Sequence, residues 1–281
     1  MKDPYRRRKI IDLAVRAACV IGALIALVPL VSVMYYVTVR GLQGVNLEFF
    51  TELPKPVGES GGGMGNAVIG TLKLVGLACL FGIPPGVMAG IYLAEFGQTR
   101  FGHAVRFCAD VMSGVPSITV GIFVYSLVVL ATKQFSAIAG GIALAILMLP
   151  TVTRSTEELL KLVPESLREA ALGLGVPQWR TTLRVMLRTA APGIATGIML
   201  AVARVAGETA PLLFTAFNNR FWSSGLNEPT ASLPVNIYTN AVSPYEDWHR
   251  QAWAAALVLL VMVLILNVSA RLLVRHRVRA R

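Results

Sequence analysis

Long apolar stretches separated by short charged segments make up most of the chain. A hydrocarbon layer about 30 Å thick requires roughly 17–25 predominantly apolar residues in each helical crossing. Six stretches meet this requirement: residues 17–39, 66–94, 109–131, 137–153, 190–217 and 252–271. We therefore predict an all-α membrane protein in which residues 1–281 form a single domain with six transmembrane helices.

Proline and glycine modify several of these predicted crossings. Pro84 and Pro85 lie inside the second crossing, where they free backbone carbonyls and predict a kink. The third crossing is interrupted at 114–116 by a glycine and a proline. In the fifth crossing, Gly193 and Gly197 have the small-residue spacing that lets helix backbones approach closely. This helix is therefore expected to be central.

Composition supports the membrane interpretation. Of the 281 residues, 55% are hydrophobic and 15% charged, and the mean hydropathy of +0.63 is above the usual range of soluble domains. The net charge of +11 could indicate nucleic-acid binding, but the basic residues lie at the ends of apolar stretches, so no nucleic-acid partner is predicted. The cysteines, Cys19, Cys79 and Cys108, are widely spaced in or beside apolar stretches and predict neither disulfides nor a metal site.

Lysine and arginine predict the orientation in the bilayer. They concentrate at the two termini, in the turn 100–106 and in the segment 155–188, which we assign to the cytoplasmic side. The loop 40–65, the turn at Lys133 and the external loop 218–251 contain few of them. Both termini are therefore predicted to be cytoplasmic. The basic start leads into an apolar run longer than that of a signal peptide, so the first helix is expected to be retained.

The charged segment 155–188 contains one short amphipathic pattern. Pro164 can open a helix in which Leu167, Ala170 and Ala171 share one face, and Gly173 and Gly175 can end it. Such a helix could dock on a partner protein, or it could be a connecting or re-entrant hairpin. The spacing alone leaves both interpretations open.

Two charges lie inside the fifth apolar stretch. Arg204 and Glu208 are four residues apart, so they share one face of a helix and can meet. An arginine near the centre of a bilayer costs about 2.5–3.5 kcal/mol on insertion scales, so we expect it to face the bundle interior with a partner. The pair could serve only helix packing, or Arg204 could contact an anion in transit while Glu208 holds it in place.

Three motifs resemble one family. Glu169-Ala170-Ala171 followed by Gly175 is similar to the EAA loop of ABC importer permeases. The stretches SGVPSI (113–118) and ARVAGETAPLLFT (203–215) are similar to the permeases of the phosphate-specific importer, of the PstA type. The similarity extends from Gly65 to the C-terminus and implies a type I ABC importer permease fold with a cytoplasmic coupling helix.

The resemblance also implies partners and site residues. Glu169, Ala170, Ala171 and Gly175 would couple to a separate dimeric ABC ATPase. The charges inside the fifth crossing, not the resemblance, make Arg204, Glu208 and Thr209 our candidate substrate-path residues. A homologous second permease, an external phosphate-binding protein and inorganic phosphate complete the expected partners, in the cytoplasmic (inner) membrane of a bacterium.

No catalytic residue, metal site or cofactor is predicted in the chain itself. It contains no G-x-x-x-x-G-K-[ST] loop, and its histidines, His103, His249 and His276, are isolated. ATP and Mg²⁺ are therefore expected in the partner ATPase. A permease for sulfate or molybdate remains an alternative, as does an ion-driven secondary transporter, although no internal repeat typical of that class is evident.

Overall fold

The computed structural model describes residues 4–56, 59 and 61–279, and every regular element in this part of the chain is a helix. Residues 1–3, Val57, Gly58 and Ser60 of the predicted loop 40–65, and the end of the basic tail at Arg281 lie outside the described residues. The helices are α1 (Pro4–Leu42), α2 (Leu47–Thr51), α3 (Gly65–Phe96), α4 (Arg100–Gly114), α5 (Ser117–Thr132), α6 (Ala137–Lys161), α7 (Glu165–Gly173), α8 (Gln178–Ala206), α9 (Ala210–Thr215), α10 (Leu233–Ala241) and α11 (Glu246–Arg279).

Five of these helices are long and apolar enough to cross a bilayer, namely α1, α3, α6, α8 and α11. The remaining apolar stretch forms the pair α4 and α5, which meet at an angle of 106°. Counting this bent pair as one crossing gives six. The all-α fold predicted from the sequence is thereby confirmed.

The third predicted crossing, 109–131, has a different shape from the one expected. Residues 109–114 belong to α4, which also includes the predicted turn 100–106, and only α5 continues the apolar stretch. Val115 is extended, as the residue before a proline usually is, and Pro116 has no N–H to extend the α4 hydrogen-bond ladder. The interruption therefore separates two helices instead of bending one.

The fifth predicted crossing, 190–217, also differs. Its helix, α8, begins at Gln178 and ends at Ala206, and the short helix α9 follows after three residues. Gly207 lies directly after the last helical residue, and Pro211, near the start of α9, cannot donate a hydrogen bond to the preceding turn. A continuous helix over 190–217 was therefore a wrong prediction.

Close packing of α3 against α6 forms the centre of the bundle. Glycines of α3 lie directly on α6, so that a Cβ added at Gly86 would come within 2.9 Å of Val152, and one added at Gly90 within 2.5 Å of the Cβ of Thr156. Around this contact lies the largest apolar core, with Leu144 fully buried. Small residues at the interface are what allow two helix backbones to approach so closely.

The predicted external loop 218–251 contains α10 and the start of α11, and its first part is fastened to the N-terminal part of α3. The Asn66 amide donates to the Asn219 carbonyl at 2.8 Å. The Lys73 ammonium donates to the carbonyls of Ser223 and Gly225 at 2.8 and 3.2 Å. These bonds satisfy Lys73, which starts from an apolar helix, and hold the loop over the end of the bundle.

The α3–α6 contact predicts a contrast between two glycine-to-alanine substitutions in the same helix. Gly90→Ala should destabilise the protein by about 1–3 kcal/mol, because overpacking forces the neighbouring backbone to move. Gly76→Ala should be neutral or slightly stabilising, since a Cβ there meets nothing within 4 Å and alanine favours the helix. Thermal unfolding of the purified protein in detergent measures both, and equal midpoints would contradict the packing argument.

Candidate functional site

The amphipathic segment predicted between the fourth and fifth crossings is the helix α7. Pro164 directly precedes it, and Glu165 lies in its first turn, where a negative charge interacts favourably with the helix dipole and stabilises the helix. The chain leaves the helix through Gly175, whose φ of +78° is accessible to glycine at no steric cost. The N–H of Val176 then donates to the carbonyl of Ala171 at 3.1 Å, which satisfies an end of the helix.

The four residues predicted to couple to an ATPase lie on two sides of this segment. Glu169, Ala170 and Gly175 are exposed, and a Cβ at Gly175 would meet nothing within 4 Å. Ala171 is buried against the rest of the chain. Ala170 and Ala171 therefore point in different directions, and the outward surface is formed by the other three.

Large apolar side chains surround this outward surface. Leu174 is 84% exposed and Trp179 is 58% exposed, and Leu162 and Leu167 are exposed as well. The segment carrying them lies beyond the apolar parts of α6 and α8 and is charged. An exposed apolar patch outside the hydrocarbon layer marks a surface for another protein.

A buried ion pair attaches α7 to the end of α3. Both terminal nitrogens of Arg168 bond to the carboxylate of Glu95, one of them at 2.9 Å, and Gln178 donates to the same carboxylate at 3.5 Å. The Glu95 side chain is only 5% exposed. Two parallel bonds from a guanidinium fix orientation as well as distance, so this pair holds α7 against the end of α3.

A second buried carboxylate organises the neighbouring end of α6. Glu157 is 1% exposed and binds Arg106 of α4, Arg154 and Lys161, at 2.6, 3.0 and 2.5 Å. Arg154 also contacts Asp110 of α4 at 3.1 Å. These charges hold the sharply angled α4 against α6.

The break between α8 and α9 lies at the middle depth of the bundle. On one side of it, Gly197 packs against Ser155 of α6, and on the other side Ala216 packs against Gly140 of α6. The residues Gly207, Glu208 and Thr209 therefore lie between these levels, alongside the apolar part of α6. Irregular backbone at such a depth is tolerated where it is covered by protein or borders a water-filled path.

The predicted pair of charges lies at this break. The Nε of Arg204 is 4.0 Å from a carboxylate oxygen of Glu208, and their side chains are 53% and 19% exposed. The two residues meet as predicted, although α8 ends between them, so Glu208 is positioned by the turn and not by a helix face. Thr209, the third predicted path residue, accepts bonds from Leu212 and Leu213 and so starts α9.

Arg204 is not enclosed by the helices of its own chain, contrary to the expected interior position. A half-exposed guanidinium at this depth cannot face hydrocarbon without a large penalty. It can therefore face a second protein chain or a water-filled path, where it would attract anions. Within the described residues, no group of three or more His, Cys, Asp or Glu side chains could hold a metal ion.

The sequence pattern did not reveal the partners of the two buried carboxylates. Glu95 and Arg168 are far apart along the chain, and Arg106 and Glu157 are too. The only signal was that each is a charge close to the end of an apolar stretch, which also describes ordinary interfacial residues.

Known proteins with similar sequences and folds are consistent with these features. The family described as "binding-protein-dependent transport system inner membrane component" matches residues 86–280. The phosphate transport system permease protein PstA of Yersinia pestis is 47% identical over 245 residues, which cover 87% of this chain and 83% of that protein. The protein of the same name from Xylella fastidiosa is 45% identical over 277 residues, covering 98% and 96%.

Solved structures agree at the level of the fold. A bacterial ABC transporter involved in the import of the acidic polysaccharide alginate matches with a TM-score of 0.66 at 14% identity, covering 98% of this chain and 99% of that one. The MetNI methionine ABC transporter, in an inward-facing conformation, matches with a TM-score of 0.57 at 18% identity, covering 77% and 96%.

Proposed function

The chain belongs to the inner-membrane permeases of binding-protein-dependent transport systems, and we propose that it forms half of the membrane path of an ATP-driven importer of inorganic phosphate. Members of this family are transport subunits that cross the inner membrane several times. The observation that carries the proposal is the half-exposed Arg204 at the middle depth of the bundle, in a chain 45–47% identical to phosphate permeases.

Arg204 has the chemistry that an oxyanion path requires. Its guanidinium can offer two parallel N–H donors to phosphate oxygens. Glu208, at 4.0 Å, holds the guanidinium loosely and keeps the site weak enough for release. Thr209 adds a hydroxyl beside them.

The same exposure supports a second permease subunit. The Arg204 guanidinium points away from its own bundle and would be unfavourable in contact with lipid. A homologous second chain on that side would shield it from the lipid. An external phosphate-binding protein would deliver the substrate to the path between the two.

ATP hydrolysis belongs, in this proposal, to a separate dimeric ABC ATPase that binds ATP and Mg²⁺. The exposed face of α7, with Glu169, Ala170 and Gly175, would insert into that ATPase, as an amphipathic helix does in a groove. The buried pair of Arg168 and Glu95 then carries the motion from α7 to α3.

Sulfate and molybdate are tetrahedral oxyanions too, and their oxygens can accept the same N–H bonds from Arg204. The physical features of Arg204 therefore do not favour phosphate over them. The preference for phosphate rests on the relatives. Uptake of radiolabelled phosphate by the assembled complex, with sulfate and molybdate as competitors, separates these substrates.

We place both termini and α7 on the cytoplasmic side, because lysine and arginine concentrate there. Ser224 lies exposed in the external loop 218–251. A cysteine replacing Ser224, in a variant without the native cysteines, should react from outside with a membrane-impermeant thiol reagent. A cysteine replacing Ser166 in α7 should react only after the membrane is opened. The reverse pattern would overturn this orientation.

The coupling role predicts that bulk or charge on the outward face of α7 separates the chain from its ATPase. Gly175→Trp and Ala170→Asp should reduce ATPase copurification and phosphate uptake at least about tenfold, because a docked helix has no room for either change. Membrane insertion should be unaffected.

Two variants separate docking from local strain. Gly175→Ala has the same unfavourable φ of +78° as the tryptophan variant but little bulk, so it should retain most of the copurification. Ala170→Ser should behave like the unsubstituted chain. Normal ATPase association of both Gly175→Trp and Ala170→Asp would remove the coupling role.

The substrate-path role of Arg204 predicts an asymmetry among charge substitutions. Arg204→Ala should abolish phosphate uptake, and Arg204→Lys should slow it, since lysine keeps the charge but loses the forked donors. The double variant Arg204→Glu with Glu208→Arg should not restore uptake, although it preserves the ion pair. The measurement is uptake normalised to assembled complex, and full activity of the double variant would leave the pair a packing role only.

A further inference from the structure

A polar cavity of about 80 Å³ lies in the outer part of the bundle, separate from Arg204. That volume is several times the roughly 10–15 Å³ that one water molecule requires. The cavity is bordered by the segment after α9, by α10, by the start of α11 and by the ends of the loop before α3. Its lining consists of Pro54, Lys55, Met64, Asn218, Asn219, Arg220, Asn236, Thr239, Asn240, Trp248 and Gln251.

Two asparagines in the wall are deeply buried. Asn236 is 6% exposed and Asn240 is 9% exposed, and both line the cavity. The Asn240 side chain makes no hydrogen bond with the described residues, and its amide is not among the fully buried polar groups that lack a partner, so it is open to the cavity. Amide groups that are open to a polar cavity can bond to water or to a ligand inside it.

Three of the amide oxygens in the lining are occupied, whereas amide donors remain. The amide oxygen of Asn236 accepts from Asn218 at 2.8 Å, and that of Asn218 accepts from the Asn219 backbone at 2.8 Å. Asn219 uses its oxygen for Phe221 and its nitrogen for Pro229, both at 3.0 Å. The amide nitrogens of Asn236 and Asn240 therefore stay available to a ligand.

The charge of the lining points to the same kind of ligand. Arg220 and Lys55 contribute two cations, and no carboxylate borders the cavity within the described part of the chain. Arg220 makes no ion pair with any described residue. Amide N–H donors next to two cations, in a lining without a carboxylate, favour an oxyanion over a cation.

The cavity lies close to the break between α8 and α9, with only α9 between the two. Asn218 follows α9 by two residues, and Thr209 directly precedes α9. At 1.5 Å per residue, α9 separates the two places by about 9 Å. Phe217, at a φ of +60°, stacks on Phe135 with ring centroids 4.9 Å apart and anchors the start of the cavity wall.

We infer that this cavity is an entry site for a tetrahedral oxyanion, occupied before the ion reaches Arg204. The inference rests on the proposed function for the identity of the ion, which is inorganic phosphate. Asn236 and Asn240 donate to its oxygens, and Arg220 supplies the charge at the rim. Neutral donors in the wall keep the ion exchangeable, so that it can move inward along α9.

Cysteine protection tests occupancy without relying on transport. In the assembled complex lacking the native cysteines and the binding protein, Thr239→Cys places a thiol in the cavity wall. Millimolar inorganic phosphate should slow its alkylation about tenfold, and chloride at equal ionic strength should not. Asn227→Cys, in the same loop outside the cavity, should react at the same rate in both. Unchanged alkylation of Thr239→Cys in phosphate would overturn the inference.

The cavity residues should also control that protection. Adding Asn240→Leu or, in a second variant at the exposed rim, Arg220→Gln should reduce the protection about tenfold, as expected for the loss of one charge-assisted or buried hydrogen bond. Full protection in both variants would mean that phosphate does not bind in this cavity.

Uptake measurements separate this inference from the proposed function. Asn240→Asp, which places a carboxylate in the wall, should lower phosphate uptake about tenfold, whereas Asn227→Asp should leave it unchanged. If the complex takes up phosphate and Asn240→Asp has no effect, the entry site is wrong and the function stands. If the unsubstituted complex takes up no phosphate but sulfate protects Thr239→Cys, the site stands and the proposed substrate is wrong.

Discussion

The close approach of α3 and α6 is the contact on which the rest of this structure depends. In a bilayer, apolar side chains gain nothing by leaving lipid for another helix, so association relies on tight packing between small residues. Gly86 and Gly90 provide that packing, and α4, α5 and α8 contact the pair directly, whereas α1 packs on α11. Because α3 and α6 are fixed, the charged ends that they carry, Glu95 and Glu157, are fixed as well.

Charged side chains at the α7 end of the bundle are paired more completely than the one at its middle depth. At the α7 end, each buried carboxylate is matched by at least one arginine, so the ion pairs there join helices together. At the middle depth, Arg204 has only a distant and partly exposed partner, which leaves most of its field unneutralised. The charges of Glu95 and Glu157 are thus neutralised by arginines of the same chain, whereas the charge of Arg204 is only partly neutralised.

The long crossings could be predicted from the sequence because an apolar run of about 20 residues matches the thickness of the hydrocarbon layer. The interruption at 114–116 could also be predicted, but the 106° angle between α4 and α5 could not. The end of α8 at Ala206 was not predicted either, because an apolar run alone does not determine where a helix ends within it. The contact of Arg204 with Glu208 was predictable, since residues four apart are neighbours in a helix and also in the turn that replaced it. The pairing of Glu95 with Arg168 was not, because it depends on how α7 folds back onto α3. The same holds for Asn236 and Asn240, whose cavity forms only when α10 packs beside the end of α9.

The two ends of the bundle are held by different kinds of bond. The α7 end relies on ion pairs, whereas the external loop is fastened by the Asn66 amide and by Lys73 bound to neutral carbonyls. Dissolved ions at 0.15 M screen exposed charges that lie more than about 8 Å apart, but they affect buried ion pairs in direct contact, and hydrogen bonds to carbonyl groups, much less. The external loop and the α7 end should therefore both keep their shape in dilute and in salty surroundings, since the carboxylates of Glu95 and Glu157 are almost fully buried.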